Sequence, residues 1–143
     1  MSRKRLWKSA ITLTAATLAG IAAVNKLLHM ASGRLHLLEQ QSGEYYDWRF
    51  GKIFYRKMGT GEPLVLIHTL DPAVSSREWS RMEKELSKEH TLYLIDLPGC
   101  GKSDKPKLTY TNYLYVQMLT DFMNDIVKEP ADIAVSGLSA SFV

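Results

Sequence analysis

The stretch of sequence that decides the fold is DIAVSGLSASF, residues 132–142. It begins with an apolar run at 133–135 and continues as small-x-Ser-x-small around Ser139. Small residues two positions before and after the serine, Gly137 and Ser141, let a strand and a helix approach closely at a sharp turn. The pattern predicts a strand-turn-helix elbow that presents the Ser139 hydroxyl at its tip. A Ser/Gly/Ala-rich loop after a strand is the alternative interpretation.

Upstream of the elbow, the sequence predicts strands. Aromatic and β-branched residues at 45–50 and 52–56 flank Gly51, which predicts a β-hairpin. Continuous apolar runs at 64–67 and 91–95 are typical of strands buried on both faces of a parallel sheet.

Two helices are predicted between these strands. Ser75 with Glu78 three residues later fits a capping box, and an apolar stripe through Leu86 follows it. A second stripe predicts a long helix from about Thr111 to Lys128. The order hairpin, strand, helix, strand, helix, strand predicts an α/β fold with a parallel sheet.

Composition excludes several classes of function. The chain of 143 residues carries a formal charge of +3, but four positive charges cluster at Arg3, Lys4, Arg5 and Lys8. The rest of the chain is close to neutral, so we expect no nucleic-acid partner. Cys100 is the single cysteine, which excludes an internal disulfide. No Cys/His cluster has metal-ligand spacing, and we expect neither a metal nor a cofactor.

The N-terminus predicts contact with a membrane. Residues 1–8 are basic, and an uncharged, apolar run follows at 9–24. We favour a transmembrane signal anchor over residues 1–30, with its basic end in the cytoplasm. A signal peptide cleaved near Ala22, with secretion of the rest, is one alternative, and a peripheral or buried helix is another. A linker over 31–44 and a domain over 45–143 would follow.

From about Trp48 to Val143 the sequence resembles an α/β-hydrolase-fold protein. GTGEPLVLIH, residues 59–68, is similar to the strand that precedes the oxyanion loop of that family. Tyr110 and Thr111 open a helix as the family does, and residues 137–141 match its nucleophile elbow. DLPGCGKSDKP resembles the family loop Asp-x-x-Gly-x-Gly-x-Ser-x-x-Pro, with Asp96, Gly99, Gly101 and Ser103 at the matching positions.

The resemblance implies a serine hydrolase that acts on the ester, thioester or amide of a small acyl substrate. Ser139 would be the nucleophile, and the N–H of Ala140 would hold the oxyanion of the tetrahedral intermediate. The second oxyanion donor would come from the loop after His68. Thr69 stands there in place of the usual glycine, so either Thr69 or Leu70 could donate.

The catalytic acid and histidine of this family follow the serine in the chain. Here all four histidines precede Ser139 and two residues follow Ser141. We therefore expect an N-terminal fragment, catalytically incomplete as it stands, in which Ile133, Val135 and Phe142 are exposed at an open sheet edge. The alternative is a non-catalytic binding or interaction protein of the same fold, tethered to the membrane.

Overall fold

The computed structural model describes residues 20–27 and 42–143. These residues fall into two units, one within Met1–Gln40 and the other within Gln41–Val143. In the first unit, residues 20–27 form an exposed helix, α1. The rest of the predicted anchor or signal segment, and most of the predicted linker, lie outside the described residues. Among the residues that are described, no helix has the length and apolar character needed to span a membrane.

The second unit is built on a five-stranded mixed sheet. The strands are β1 Glu44–Trp48, β2 Gly51–Met58, β3 Glu62–Ile67, β4 His90–Ile95 and β5 Asp132–Val135. Their order in the sheet is β1-β2-β4-β3-β5. β1 and β2 form the predicted hairpin, and β2 continues antiparallel against β4. β3 lies at the centre of three parallel strands, between β4 and β5. The hairpin and the β-α-β-α-β order are therefore confirmed.

The prediction of a capping-box helix after Ser75 is wrong, because this segment does not form one continuous α-helix. The segment is a 3-10 turn, Ser76–Trp79, followed by one short α-helical turn, α2, Glu83–Leu86. The Ser75 hydroxyl does cap the 3-10 turn, accepting the Arg77 N–H at 3.4 Å. Glu78 does not reach back to close a capping box, because its carboxylate accepts hydrogen bonds from Thr69 and Ser136, in the loops after β3 and β5.

The long second helix is confirmed. α3, Asn112–Phe122, begins at Thr111, whose hydroxyl accepts the Leu114 N–H at 3.3 Å. A π-helical turn, Met123–Val127, extends it and ends at Lys128 in the left-handed region with φ of 64°. The hairpin is tied to this helix, since Trp48 Nε1 donates to an Asp121 carboxylate oxygen at 2.8 Å.

Both faces of β3 and β4 are buried along their continuous apolar runs, as expected of such runs in a parallel sheet. Alternate residues of β3 and β4 face α3, and Phe122 meets the rings of Tyr46, Tyr55 and Tyr93 edge to face there. The other residues of the two strands form a smaller cluster on the opposite face. Its members are Leu64, Leu66, Leu92 and Leu94, with Met58, Trp79, Leu86 and Ala134 packed against them.

The expected exposure at the β5 edge holds for one residue of three. Ile133 is exposed, whereas Val135 is half-buried. Phe142 is buried, because the turn after β5 brings its ring onto Tyr115 of α3, with centroids 4.9 Å apart. The chain thus covers part of this edge with its own aromatic residue.

Candidate active site

The carboxyl ends of the three parallel strands meet at one edge of the sheet, where open α/β sheets bind their ligands. Three loops leave this edge. They are residues 68–72 after β3, residues 96–106 after β4 and residues 136–142 after β5. All predicted site residues lie on these three loops.

Ser139 adopts a conformation that differs from the predicted elbow. The segment Gly137–Ser141 is a 3-10 turn, not the start of an α-helix. Ser139 is fully buried, and its hydroxyl donates to the carbonyl oxygen of His68 at 2.6 Å. Of the described non-glycine residues, Lys128 alone has a positive φ, so Ser139 carries no left-handed strain. The hydroxyl is directed into the protein because a main-chain acceptor satisfies it there. The role of Ser139 as nucleophile stays a prediction.

The two candidate donors in the loop after β3 differ in their hydrogen bonds. The N–H of Thr69 donates to a Glu78 carboxylate oxygen at 2.8 Å. Within residues 42–143, the Leu70 N–H makes no hydrogen bond. Leu70 is therefore the donor in this loop that is free to bind a ligand. On the other loop, the N–H of Ala140 lies within the 3-10 turn, where such groups point to the carbonyl three residues earlier.

Thr69 fits in place of the usual glycine because its neighbour across the site is Gly137. A Cβ on Gly137 would lie 2.1 Å from the Thr69 hydroxyl oxygen, far inside contact distance. Gly137 also has φ of +55°, in the left-handed region that disfavours residues with a Cβ. The predicted small residue at this position is thus required by both backbone and packing.

Replacing Gly137 with alanine is expected to lower the free energy of unfolding by about 2–3 kcal/mol. The reason is the combined strain of a left-handed alanine and the clash with Thr69. Urea denaturation of the full-length protein measures the effect. Ser141→Ala, in the same turn but exposed, should change the free energy by less than about 0.5 kcal/mol. Equal stability of Gly137→Ala and wild type would show that the turn rearranges freely.

His68 joins two loops of the site. Its ring is fully buried, and Nε2 accepts the Leu97 N–H at 3.0 Å. Nδ1 therefore carries the proton, which it donates to the Thr69 carbonyl oxygen at 2.7 Å. Burial lowers the pKa of His68 below its usual value, so the ring is neutral at pH 7. With both nitrogens engaged, His68 has no free nitrogen with which to accept a proton from Ser139.

The loop after β4 is held by a buried carboxylate. Asp96 accepts the N–H of Ser76 at 2.7 Å and that of Lys102 at 2.8 Å. Ser103 is also buried, and its hydroxyl accepts the Phe54 N–H at 2.8 Å. A Cβ on Gly101 would lie 2.0 Å from the Asp96 carboxylate.

Gly99 borders the cleft in the same loop, and a Cβ there would lie 3.0 Å from the Tyr110 ring. The contacts of the four matching positions, Asp96, Gly99, Gly101 and Ser103, keep the loop in place.

An apolar cleft of about 500 Å³ opens between the loops after β3 and β4. Leu70 lies on its wall, so the free N–H belongs to a residue that borders the cleft. Cys100 also lines it, and burial raises the pKa of this thiol to about 11, which leaves it protonated at neutral pH. The remaining lining residues are Pro72, Pro98, Gly99, Lys105, Pro106, Tyr110 and Tyr115.

Two features of the site were not found from the sequence. The capping-box pattern predicts that Glu78 caps a helix, yet its carboxylate forms hydrogen bonds with the loops after β3 and β5. Tyr110 and Tyr115 form a stacked pair on the cleft wall, with ring centroids 6.3 Å apart. No motif marks either feature, because each depends on residues that are distant in the chain. Among residues 20–27 and 42–143, no group of three or more potential metal ligands is brought together.

Comparison with known proteins identifies the family. The family model of the alpha/beta hydrolase fold matches residues 62–133, which is half of the chain. A 2-hydroxy-6-oxo-6-(2'-aminophenyl)hexa-2,4-dienoic acid hydrolase of Metapseudomonas resinovorans is 30% identical over 70 residues. That match covers 48% of this chain and 24% of the relative. The chain thus spans about a quarter of the length of this curated relative.

Solved structures agree with this assignment. A meta-cleavage product hydrolase from Pseudomonas fluorescens IP01 is 28% identical with a TM-score of 0.59, and the match covers 64% of this chain and 34% of the other. An alpha/beta hydrolase fold protein from Burkholderia ambifaria is 21% identical with a TM-score of 0.64, over 69% of this chain and 36% of the other. The matched segment contains β3, β4 and the loop held by Asp96, which together carry the family pattern. This chain belongs to the α/β-hydrolase-fold family.

Proposed function

We propose that the intact protein is a serine hydrolase that cleaves an ester, thioester or amide of a small molecule. In this proposal the present chain supplies the nucleophile, Ser139, and the oxyanion loop. The observation that supports it most is the hydrogen bond of 2.6 Å between the Ser139 hydroxyl and the His68 carbonyl. It supports the proposal because His68 directly precedes the loop that would hold the oxyanion.

The chemistry requires two further groups. A serine hydroxyl needs a histidine base, oriented by a carboxylate, to become a nucleophile. The family order places both after Ser139, and no residue of this chain is assigned to either role.

For the reaction, the Ser139 hydroxyl would have to turn from the His68 carbonyl toward the cleft. Its oxygen would then attack the substrate carbonyl carbon while the histidine base takes the hydroxyl proton, and a tetrahedral intermediate would form. Collapse of the intermediate would break the bond to the alcohol, thiol or amine, which would leave with that proton. The negative charge on the former carbonyl oxygen would be held by the N–H groups of Leu70 and Ala140, and the Ala140 N–H would first have to turn away from its 3-10 hydrogen bond. Of the two candidates in the first loop, we assign Leu70, since Thr69 already donates to Glu78.

A serine-directed fluorophosphonate probe tests the proposed function on the full-length protein. The probe forms a covalent bond only with an activated serine, so wild type should be labelled and Ser139→Ala should not. Ser141→Ala is the matched control and should be labelled like wild type. A panel of small esters, thioesters and amides, with a 2-hydroxy-6-oxo-dienoic acid added, would then define the substrate. Absence of labelling in the wild-type protein would contradict the proposal.

A non-catalytic binding protein is the second candidate. The observation that favours it is the burial of Ser139, whose hydroxyl is already satisfied by a main-chain carbonyl. In that case the cleft beside Leu70 would hold a small molecule that is not cleaved. Unlabelled wild-type protein that still binds an apolar ligand would support this candidate.

We further propose that residues 1–30 attach the protein to a membrane, with the basic end in the cytoplasm. The support is the arrangement of a basic cluster before an apolar run. After alkaline carbonate extraction, we expect the full-length protein in the membrane pellet and a variant lacking residues 1–30 in the supernatant. Recovery of a shortened protein outside the cell would instead indicate a cleaved signal peptide and secretion.

A further inference from the structure

The carboxylate of Glu78 bridges two loops of the candidate site. One oxygen accepts the main-chain N–H of Thr69 at 2.8 Å. The other accepts the hydroxyl of Ser136 at 2.8 Å. Thr69 belongs to the loop after β3, and Ser136 follows the last residue of β5. A single side chain from a third segment therefore connects the oxyanion loop to the strand end that leads to Ser139.

The backbone at Glu78 is held in place by hydrogen bonds. It lies in the 3-10 turn Ser76–Trp79, where its own N–H donates to the Ser75 carbonyl at 3.0 Å. That turn is also tied to the loop after β4, because the N–H of Ser76 donates to the buried carboxylate of Asp96. The glutamate thus extends from a fixed backbone, although its own side chain is exposed to solvent.

The bridge decides which of the two candidate N–H groups is free. The Thr69 N–H donates to Glu78, whereas the Leu70 N–H makes no hydrogen bond within residues 42–143. Hydrogen bonds to a carboxylate are stronger than those between neutral groups, which favours Glu78 as the acceptor of the Thr69 N–H. The same carboxylate holds Ser136, whose N–H continues the sheet by donating to the Ile67 carbonyl at 3.0 Å. The loop that carries Thr69 and the turn that begins at Ser136 are therefore both held by Glu78.

We propose that Glu78 is a positioning residue for the oxyanion site. It withdraws the Thr69 N–H, leaves the Leu70 N–H for the substrate oxygen and keeps the loop in register with the turn that carries Ser139. This inference rests on the proposed hydrolase function of the intact protein. Glu78 gives the main-chain N–H of Thr69 an acceptor within the protein.

The test compares Glu78→Ala, Glu78→Gln and the control Glu85→Ala in the full-length protein. Glu85 is a matched control because its exposed carboxylate pairs with Lys88 on the surface. Amide hydrogen exchange at Thr69 is measured by NMR. The constants kcat and KM are measured with a p-nitrophenyl ester. Glutamine can accept from Thr69 through its carbonyl oxygen and donate to the Ser136 hydroxyl oxygen through its amide.

For Glu78→Ala we expect exchange at Thr69 to accelerate about tenfold or more, because the N–H loses its acceptor. We expect kcat to fall by about 10- to 100-fold while KM changes by less than about threefold, since the oxyanion is bound mainly in the transition state. Glu78→Gln and Glu85→Ala should stay within about threefold of wild type in both kinetic constants. A general loss of structure would raise KM and accelerate exchange at amides throughout the domain. A lower kcat at nearly constant KM, with faster exchange at Thr69, therefore distinguishes a positioning role from misfolding.

Unchanged exchange at Thr69 in Glu78→Ala, or a kcat equal to that of Glu85→Ala, would overturn the inference. So would a Glu78→Gln variant as impaired as Glu78→Ala. If the fluorophosphonate probe does not label wild type, the proposed function fails, while exchange at Thr69 still decides whether Glu78 holds the loop. If Glu78→Ala does not fold, Ser136→Ala takes its place and should lower kcat while leaving exchange at Thr69 protected.

Discussion

In the full-length protein, replacing Ser139 with alanine is expected to lower kcat for hydrolysis of an ester substrate by at least about a thousandfold. The variant lacks the oxygen that would attack the substrate carbonyl carbon. Residual activity would come from the oxyanion donors and from substrate binding, which the substitution leaves in place. Steady-state kinetics with a p-nitrophenyl ester measure the change.

The same variant should remain folded. Alanine removes one hydrogen bond, from the Ser139 hydroxyl to the His68 carbonyl, which contributes about 1 kcal/mol. The control is Ser141→Ala, which removes an exposed hydroxyl that donates to the Leu138 carbonyl at 2.9 Å. Its kcat should match that of wild type. A Ser139→Ala variant with the wild-type rate would show that another residue is the nucleophile.

The second large effect is on stability. Replacing Asp96 with alanine is expected to lower the free energy of unfolding by about 3–5 kcal/mol. The side chain is fully buried and accepts two main-chain N–H groups, from Ser76 and Lys102, and the substitution removes both of these hydrogen bonds. Each unsatisfied buried donor costs about 1–3 kcal/mol. The free energy is obtained from urea denaturation.

Two further variants make the stability test specific. Asp96→Asn keeps one carbonyl oxygen as an acceptor and should cost about half as much as the alanine. Asp47→Ala removes an exposed carboxylate that lies 3.4 Å from Lys52, and should change stability by less than about 0.5 kcal/mol. If Asp96→Ala were as stable as Asp47→Ala, the carboxylate would not be what holds the loop after β4.

The sequence alone accounts for the strands because their signals are local. The run 64–67 is apolar at every position, and both faces of β3 are buried in the structure. Gly51 between two aromatic segments marked the hairpin, whose register pairs it with Trp48. The family resemblance is also local, since the residues around Asp96 follow one another in the loop that they hold.

The helix expected after Ser75 failed because its signal admits two outcomes. A serine with a glutamate three residues later closes a capping box only if the glutamate has no better donor. Here the Thr69 N–H and the Ser136 hydroxyl, both distant in sequence, bind the Glu78 carboxylate instead. The turn then stays 3-10 in form, and α2 is reduced to the four residues Glu83–Leu86.

By itself, the sequence determined the order of the strands, the family, and the three loops that meet at the carboxyl edge of the sheet, but not the part that Glu78 and Tyr110 play there. Periodic burial and glycine-dependent turns are properties of neighbouring residues, so they can be read along the chain. Tertiary structure alone decided that Ser139 donates to His68 and that Leu70, not Thr69, keeps a free N–H. Those outcomes depend on which donors and acceptors from distant segments come within 3 Å, and that distance exists only once the sheet has formed.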